Sequence, residues 1–276
     1  MSVSARLSLQ RAALPVSSPR RRGSSHGYEH AWVPAFAGTT GPVLIAKRER
    51  KRSARVWLFD LDDTLHNAGR ASMPGIHAAI GEYVQRELAL TSDEAHALRR
   101  RYWLRYGATL LGLVRHHGID AAHFLHHTHL LPGLEERVHG HPHDLAALRR
   151  LRGRKIILTN APRAYAERVL GALGIARCFD GLIAIEDMHM FGHLRPKPDA
   201  RMLRRLVAHL RVPPSRCVLV EDTLVHQKAA RRVGMQTVWM QRWMRETVAA
   251  QGGEVRHSMR PAYVDRRVRR LGELLR

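Results

Sequence analysis

Val56-Trp57-Leu58-Phe59-Asp60-Leu61-Asp62-Asp63-Thr64-Leu65 is the stretch on which the fold of this chain turns. Four consecutive apolar residues, rich in β-formers, run straight into an acidic loop, which predicts a strand buried on both faces. The same form recurs downstream as Lys155-Ile156-Ile157-Leu158-Thr159, Leu182-Ile183-Ala184-Ile185, Cys217-Val218-Leu219-Val220 and Thr237-Val238-Trp239-Met240. Between the later strands the apolar spacing turns helical. Helices are expected over 164–173, closed by Gly174, over 199–210, stopped near Pro213-Pro214, and over 225–233, closed by Gly234. Strands apolar along their whole length, alternating with helices, predict an α/β fold: a Rossmann-like three-layer core with a parallel sheet covered on both faces.

Between the first two strands the pattern is helical almost throughout. Ile76, Ile80, Val84 and Leu88 repeat at four-residue spacing, and a long helix is expected over 94–114. An insertion of this size is expected to form a helical cap over 68–151, leaving 54–67 and 152–245 as the core and 246–276 as a basic C-terminal segment. Residues 1–53 are rich in Ser, Arg, Gly and Pro, show no sustained period, and end in Lys47-Arg48-Glu49-Arg50-Lys51-Arg52. A disordered extension is expected there.

The formal net charge of +22 raises the question of nucleic acid. Only five of the 46 basic residues are lysine, which points to arginine-rich coding rather than a designed patch. Eleven basic side chains in 1–55 face only Glu29 and Glu49, so a large part of the excess lies in the extension. The rest is suited to attracting small anionic substrates, and nucleic acid is not the expected partner. No apolar run is long enough to cross a bilayer, so a soluble, cytoplasmic protein without a membrane partner is expected. Cys178 and Cys217 have no metal-ligand spacing, which argues against structural zinc.

In a doubly wound sheet, ligands bind beyond the carboxyl ends of the strands. The residues that follow the predicted strands are Asp60, Asp62 and Asp63; Thr159 and Asn160; Arg195-Pro196-Lys197-Pro198; and Glu221 and Asp222. Taken singly, each reads equally as a solvated turn, a helix cap or a loop cation. Taken in order, they gather several carboxylates, a hydroxyl and one lysine at a single sheet edge. Carboxylates so gathered repel one another and call for a hard cation such as magnesium. Asp60, Asp222 and a backbone carbonyl would suit that ion, while Lys197 and Thr159 would serve phosphate oxygens.

The ordered set Asp-x-Asp-x-Thr, Leu-Thr-Asn, Lys-Pro and Glu-Asp resembles the haloacid dehalogenase-like hydrolase superfamily, over about residues 55–242. The resemblance implies that Asp60 is the nucleophile that becomes an aspartyl-phosphate. Asp62 would be the general acid and base, with its carbonyl on Mg2+. Thr159, Asn160 and Lys197 would hold the phosphoryl group, Asp222 would bind the metal directly, and Glu221 would reach it through water or act as a support. The aspartate at 62 favours phosphate esters over carbon–halogen bonds, because the family's dehalogenases lack it.

The stretch Tyr102-Trp103-Leu104-Arg105-Tyr106-Gly107-Ala108-Thr109-Leu110-Leu111-Gly112-Leu113 resembles the pyrimidine 5′-nucleotidase branch. It implies a nucleoside 5′-monophosphate as the small phosphorylated substrate, with Arg105, Tyr106 and Thr109 as cap residues for the base; the same aromatics read equally as the cap's own core. A sugar-phosphate phosphatase, a phosphoglucomutase-like transferase, and a basic nucleic-acid-binding or regulatory protein on an inactive hydrolase fold stand as alternatives. The cap histidines, His123 and His127 among them, are expected to be solvated rather than metal-bound.

Overall fold

A computed structural model describes residues 55–250 and 259–276. The expected extension at 1–53 lies outside the described residues. The chain opens with β1 (Val56–Phe59) and enters a run of helices: α1 (Ala68–Ala71), α2 (Met73–Leu88), α3 (Ser92–Tyr106), α4 (Thr109–His117), α5 (Ala121–Thr128), α6 (Leu134–Arg137) and α7 (Pro142–Arg150). Then come β2 (Arg154–Leu158), α8 (Arg163–Ala172), β3 (Gly181–Ile183), a small hairpin of β4 (His189–Met190) and β5 (His193–Leu194), and α9 (Ala200–Leu210). The last strands and helices are β6 (Cys217–Glu221), α10 (Leu224–Val233), β7 (Gln236–Met240), α11 (Arg242–Ala250) and β8 (Arg266–Val268), followed by a 3-10 turn over Leu271–Leu275.

Six strands form one sheet in the order β3-β2-β1-β6-β7-β8, and every neighbouring pair is parallel. This is the Rossmann-like α/β arrangement. Counted along the chain, the strand order runs third, second, first, fourth, fifth, sixth, so winding reverses between β1 and β6. Alternate residues of each strand serve opposite layers. Trp57, Phe59, Ile157, Val218, Val220, Val238 and Met240 pack on one side with Tyr165, Ala166, Val169 and Leu170 of α8 and with Ala147 and Leu148 of α7. Val56, Leu58, Ile156, Leu158, Cys217 and Leu219 pack on the other with Met202, Leu203, Leu206, Val207 and Leu210 of α9. Covered on both faces, the strands have to be apolar throughout.

The helices between β1 and β2 divide. Tyr83, Val84, Ala95, Leu98, Tyr102, Leu110, Leu113, Phe124 and Leu125 form a third core shared by α2 to α5. Leu134 of α6 and Ala147 and Leu148 of α7 belong instead to the cluster on the sheet.

Three elements differ from the sequence expectation. The helix expected over 94–114 is broken, because Gly107 takes φ 80 and closes α3 by donating from its N–H to Trp103 O. The third strand stops at Ile183; Ile185–Asp187 is a short 3-10 turn in which Asp187 Oδ2 accepts the Ala184 N–H at 3.0 Å. The basic C-terminal stretch contributes an edge strand, β8, paired with β7.

Candidate functional site

Asp60 leaves β1 and Glu221 ends β6, the two neighbours at which winding reverses. Their register pairs Phe59 with Val220, and the Asp60 N–H donates to Val220 O at 2.9 Å. The chain then turns back at once: the Leu65 N–H donates to Leu61 O at 2.9 Å. Asp63 supplies the left-handed residue, φ 54, a conformation that aspartate tolerates better than most side chains. The turn sets Asp60 at the strand end and Asp62 beyond it.

The Lys197 ammonium is buried between two carboxylates, 2.6 Å from Asp60 Oδ1 and 2.8 Å from Glu221 Oε2. Asn160, from the loop after β2, locks the lysine's backbone at both polar atoms. Its Nδ2 donates to Lys197 O and its Oδ1 accepts the Lys197 N–H, each at 2.9 Å. Thr159 is buried, and its Oγ1 accepts the Ala161 N–H at 3.0 Å, which leaves the hydroxyl proton available for donation. Behind the cluster, Gln227 Nε2 donates to Glu221 O at 2.8 Å and Trp239 Nε1 donates to Asp222 O at 2.8 Å.

The charges do not balance. Asp60, Glu221 and Asp222 each offer an oxygen within 4.8 Å of the others, against one lysine. Burial, reinforced by the Glu221 charge, pushes Asp60 up to about 8 even though Lys197 pulls it down. Burial and then Glu221 and Asp60 push Asp222 well above the usual carboxylate range. Glu221 goes the other way: burial would raise it, but Lys197 and His226, whose Nδ1 lies 3.1 Å from Oε2, hold it low. Glu221 is thus chiefly the lysine's counter-ion. Both carboxyls thus resist ionising beside Glu221, and the all-oxygen pair Asp60 and Asp222 suits a hard divalent cation that would offset their charge.

Asp62 has its own surroundings. His66 Nε2 lies 2.9 Å and the Tyr165 hydroxyl 2.6 Å from the same oxygen, Oδ1. Burial would raise its pKa, but the hydrogen bond and charge of His66, the Tyr165 hydrogen bond and the His129 charge together hold Asp62 below the ordinary carboxylate value. His129 stands near enough to feel the Asp62 charge, and burial depresses its own pKa. Sequence reasoning did not single out Tyr165, nor His66 as a partner of Asp62. The spacing of His66, four residues past Asp62 across a turn, was a usable signal; nothing local marks Tyr165, which reaches the site from α8.

A family model for haloacid dehalogenase-like hydrolases matches residues 54–234. This chain is a haloacid dehalogenase-like hydrolase. Two curated relatives are Phosphate metabolism protein 8 of Saccharomyces cerevisiae, 27% identical over 46% of this chain, and Fructose-1-phosphate phosphatase YqaB of Escherichia coli, 34% identical over 29% of it. The matches span 42% and 40% of those relatives' own lengths. Among solved structures, CbbY from Rhodobacter sphaeroides in complex with phosphate superimposes with a TM-score of 0.52 at 19% identity, over 80% of this chain and 96% of that one. No described helix is long and apolar enough to cross a membrane.

In this hydrolase the three cap residues expected at a base are engaged within the α3–α4 hairpin. Tyr106 Oη lies 2.5 Å from His116 Nε2, and Thr109 Oγ1 donates to Arg99 O at 3.4 Å. The Arg105 guanidinium stacks 5.6 Å from the centre of the Tyr106 ring and is exposed. The His123 and His127 rings lie 4.3 Å apart, and His123 Nδ1 lies 2.7 Å from Tyr83 Oη.

Proposed function

We propose that this chain is a magnesium-dependent phosphomonoester hydrolase that works through an aspartyl-phosphate on Asp60. The observation that carries the reading is the grouping of Asp60, Lys197, Glu221 and Asp222 where the strand order reverses, with Asp62 one turn away in a separate hydrogen-bonded setting. Asp60 attacks phosphorus, and Asp62 protonates the departing alkoxide. The lowered pKa of Asp62 keeps it a carboxylate near neutral pH. A phosphate monoester brought beside it raises its proton affinity through like charge. Asp62 then takes a proton from the water that hydrolyses the aspartyl-phosphate. Thr159 and Lys197 donate to the phosphoryl oxygens, and Asn160 keeps the lysine in register. Magnesium, held by Asp60, Asp222 and the Asp62 carbonyl, would neutralise charge on the phosphoryl group.

For the substrate, the reading is a nucleoside 5′-monophosphate with pyrimidine preference, supported by the stretch from Tyr102 to Leu113 and by the exposed Arg105. A second reading, a sugar phosphate, is favoured by the name of the relative YqaB. The test is phosphate release from UMP, CMP, AMP, GMP and several sugar phosphates with magnesium, with Asp60→Asn alongside. Preference for UMP and CMP, lost in the variant, supports both mechanism and substrate. Preference for sugar phosphates keeps the mechanism and discards the nucleotide. Substantial turnover by Asp60→Asn sinks the nucleophile assignment.

A further inference from the structure

Asp62 is gripped by one oxygen. Tyr165 Oη and His66 Nε2 both fall on Oδ1, at 2.6 and 2.9 Å. Both partners are rigidly housed: Tyr165 is 1% exposed and His66 is fully buried. The phenol also lies 2.8 Å from Ser72 Oγ, and with a single proton to give it donates to the carboxylate. The His129 and Tyr165 rings pack edge to face with their centres 5.7 Å apart.

Two features show that the grip is more than packing. A phenylalanine would fill the place of Tyr165 in the core without bringing a buried hydroxyl that needs partners. His66 leaves its Nδ1 buried without a hydrogen-bond partner among the described residues, so the ring accepts an unsatisfied atom and keeps the Asp62 contact. The Asp62 side chain, by contrast, is 18% exposed. A carboxylate torsion is broad and two-fold when unrestrained, so fixing one oxygen decides which oxygen is presented.

We propose that Tyr165, assisted by His66, is a positioning residue that ties down Asp62 Oδ1 so that Oδ2 carries the proton. The proposal rests on the phosphohydrolase reading above. In the first step the Asp60 carboxylate bonds to phosphorus, the ester P–O bond breaks with its electron pair on the leaving oxygen, and Oδ2–H delivers its proton to that oxygen. In the second, water attacks phosphorus, Oδ2 takes a proton from it, and the bond to Asp60 breaks with its electron pair returning to the carboxylate. Neither Tyr165 nor His66 exchanges a proton with substrate.

The test compares wild type, Tyr165→Phe, His66→Gln and His66→Ala on an alkyl phosphate and on 4-nitrophenyl phosphate. The alkoxide needs a proton to leave, whereas nitrophenolate departs without one. The ratio kcat/KM reports the steps through leaving-group release. Tyr165→Phe is expected to lose about tenfold or more on the alkyl ester and less than about threefold on the aryl ester. A burst of nitrophenolate should mark the slowed second step. His66→Gln, which keeps an N–H near the position of Nε2, should retain more alkyl-ester activity than His66→Ala. Equal losses on both esters, or no loss, overturns the positioning role. If Tyr165→Phe melts below the assay temperature, the two His66 variants decide the matter by the same criterion. Asp60→Asn in parallel separates the two levels: activity there overturns the phosphohydrolase reading, while an inactive Asp60→Asn beside an evenly impaired Tyr165→Phe overturns only the positioning role.

Discussion

Asp60→Asn should make the metal-free protein more stable, by an amount that grows with pH. Asp60 is 6% exposed, and burial with the Glu221 charge raises its pKa from 3.8 to about 8. A carboxyl whose folded pKa is raised gives its full contribution below the unfolded value, and that contribution is lost as pH climbs toward the folded one. At 1.36 kcal/mol per unit, Asp60 therefore costs the fold on the order of 1–2 kcal/mol at pH 5 and about 4 kcal/mol at pH 7. Asparagine has the same shape, keeps an acceptor for the Lys197 ammonium and carries no charge. The pull of Lys197 is already contained in that pKa, and the lysine retains Glu221 at 2.8 Å, so the expected gain at pH 7 is about 4 kcal/mol. The assay is urea unfolding in EDTA at pH 5, 7 and 8, with the denaturant slope checked for equality between the two proteins. A variant less stable than wild type at pH 7, or a gap that does not widen from pH 5 to pH 8, would refute the electrostatic account of the cluster. The expected result is a site that sacrifices stability for its chemistry.

Magnesium should stabilise the wild type against urea, by about 2.7 kcal/mol at a hundredfold excess over its Kd. Asp222→Asn should lose most of that gain, and an undiminished gain would remove Asp222 from the metal site. Asn160→Ala strips both hydrogen bonds from the Lys197 backbone; it should cost about 1–3 kcal/mol and slow phosphate release, as read by urea unfolding and steady-state assay. Unchanged values in both would show that the Asn160 contacts are incidental. Gly112→Ala sets two effects against each other: alanine gains about 1 kcal/mol in helix propensity, but its Cβ would lie 2.2 Å from Tyr102 Cγ. Overpacking of about 1–3 kcal/mol should win, lowering the melting temperature while leaving aryl-phosphate turnover near wild type. A stabilised variant would show that the Tyr102 ring yields.

The strands that build the sheet were legible because parallel strands covered on both faces must be apolar without interruption, and Val56-Trp57-Leu58-Phe59 and Cys217-Val218-Leu219-Val220 are. The residues after each strand were legible for a related reason: the fold itself collects strand ends at one edge, so Asp60, Lys197, Glu221 and Asp222 could be placed together before any distance was known. Three features were hidden. Strand β8 is a short edge strand in a basic stretch, Arg266–Val268, with too few apolar residues to show a period. The break at Gly107 falls within a continuous helical pattern, where one glycine is compatible with either a cap or an interior position. The Tyr165 hydroxyl joins Asp62 in the loop after β1 to Ser72 at the α1–α2 junction, and the residues involved look like ordinary core in the sequence. Sequence alone determined the layers, the strand-end chemistry and the family resemblance, because these follow from local periodicity and from the order of residues along the chain. Tertiary structure alone decided that Glu221 serves the lysine and that Asp62 is held by a buried phenol and imidazole, because such contacts depend on how distant side chains pack, which no local pattern encodes.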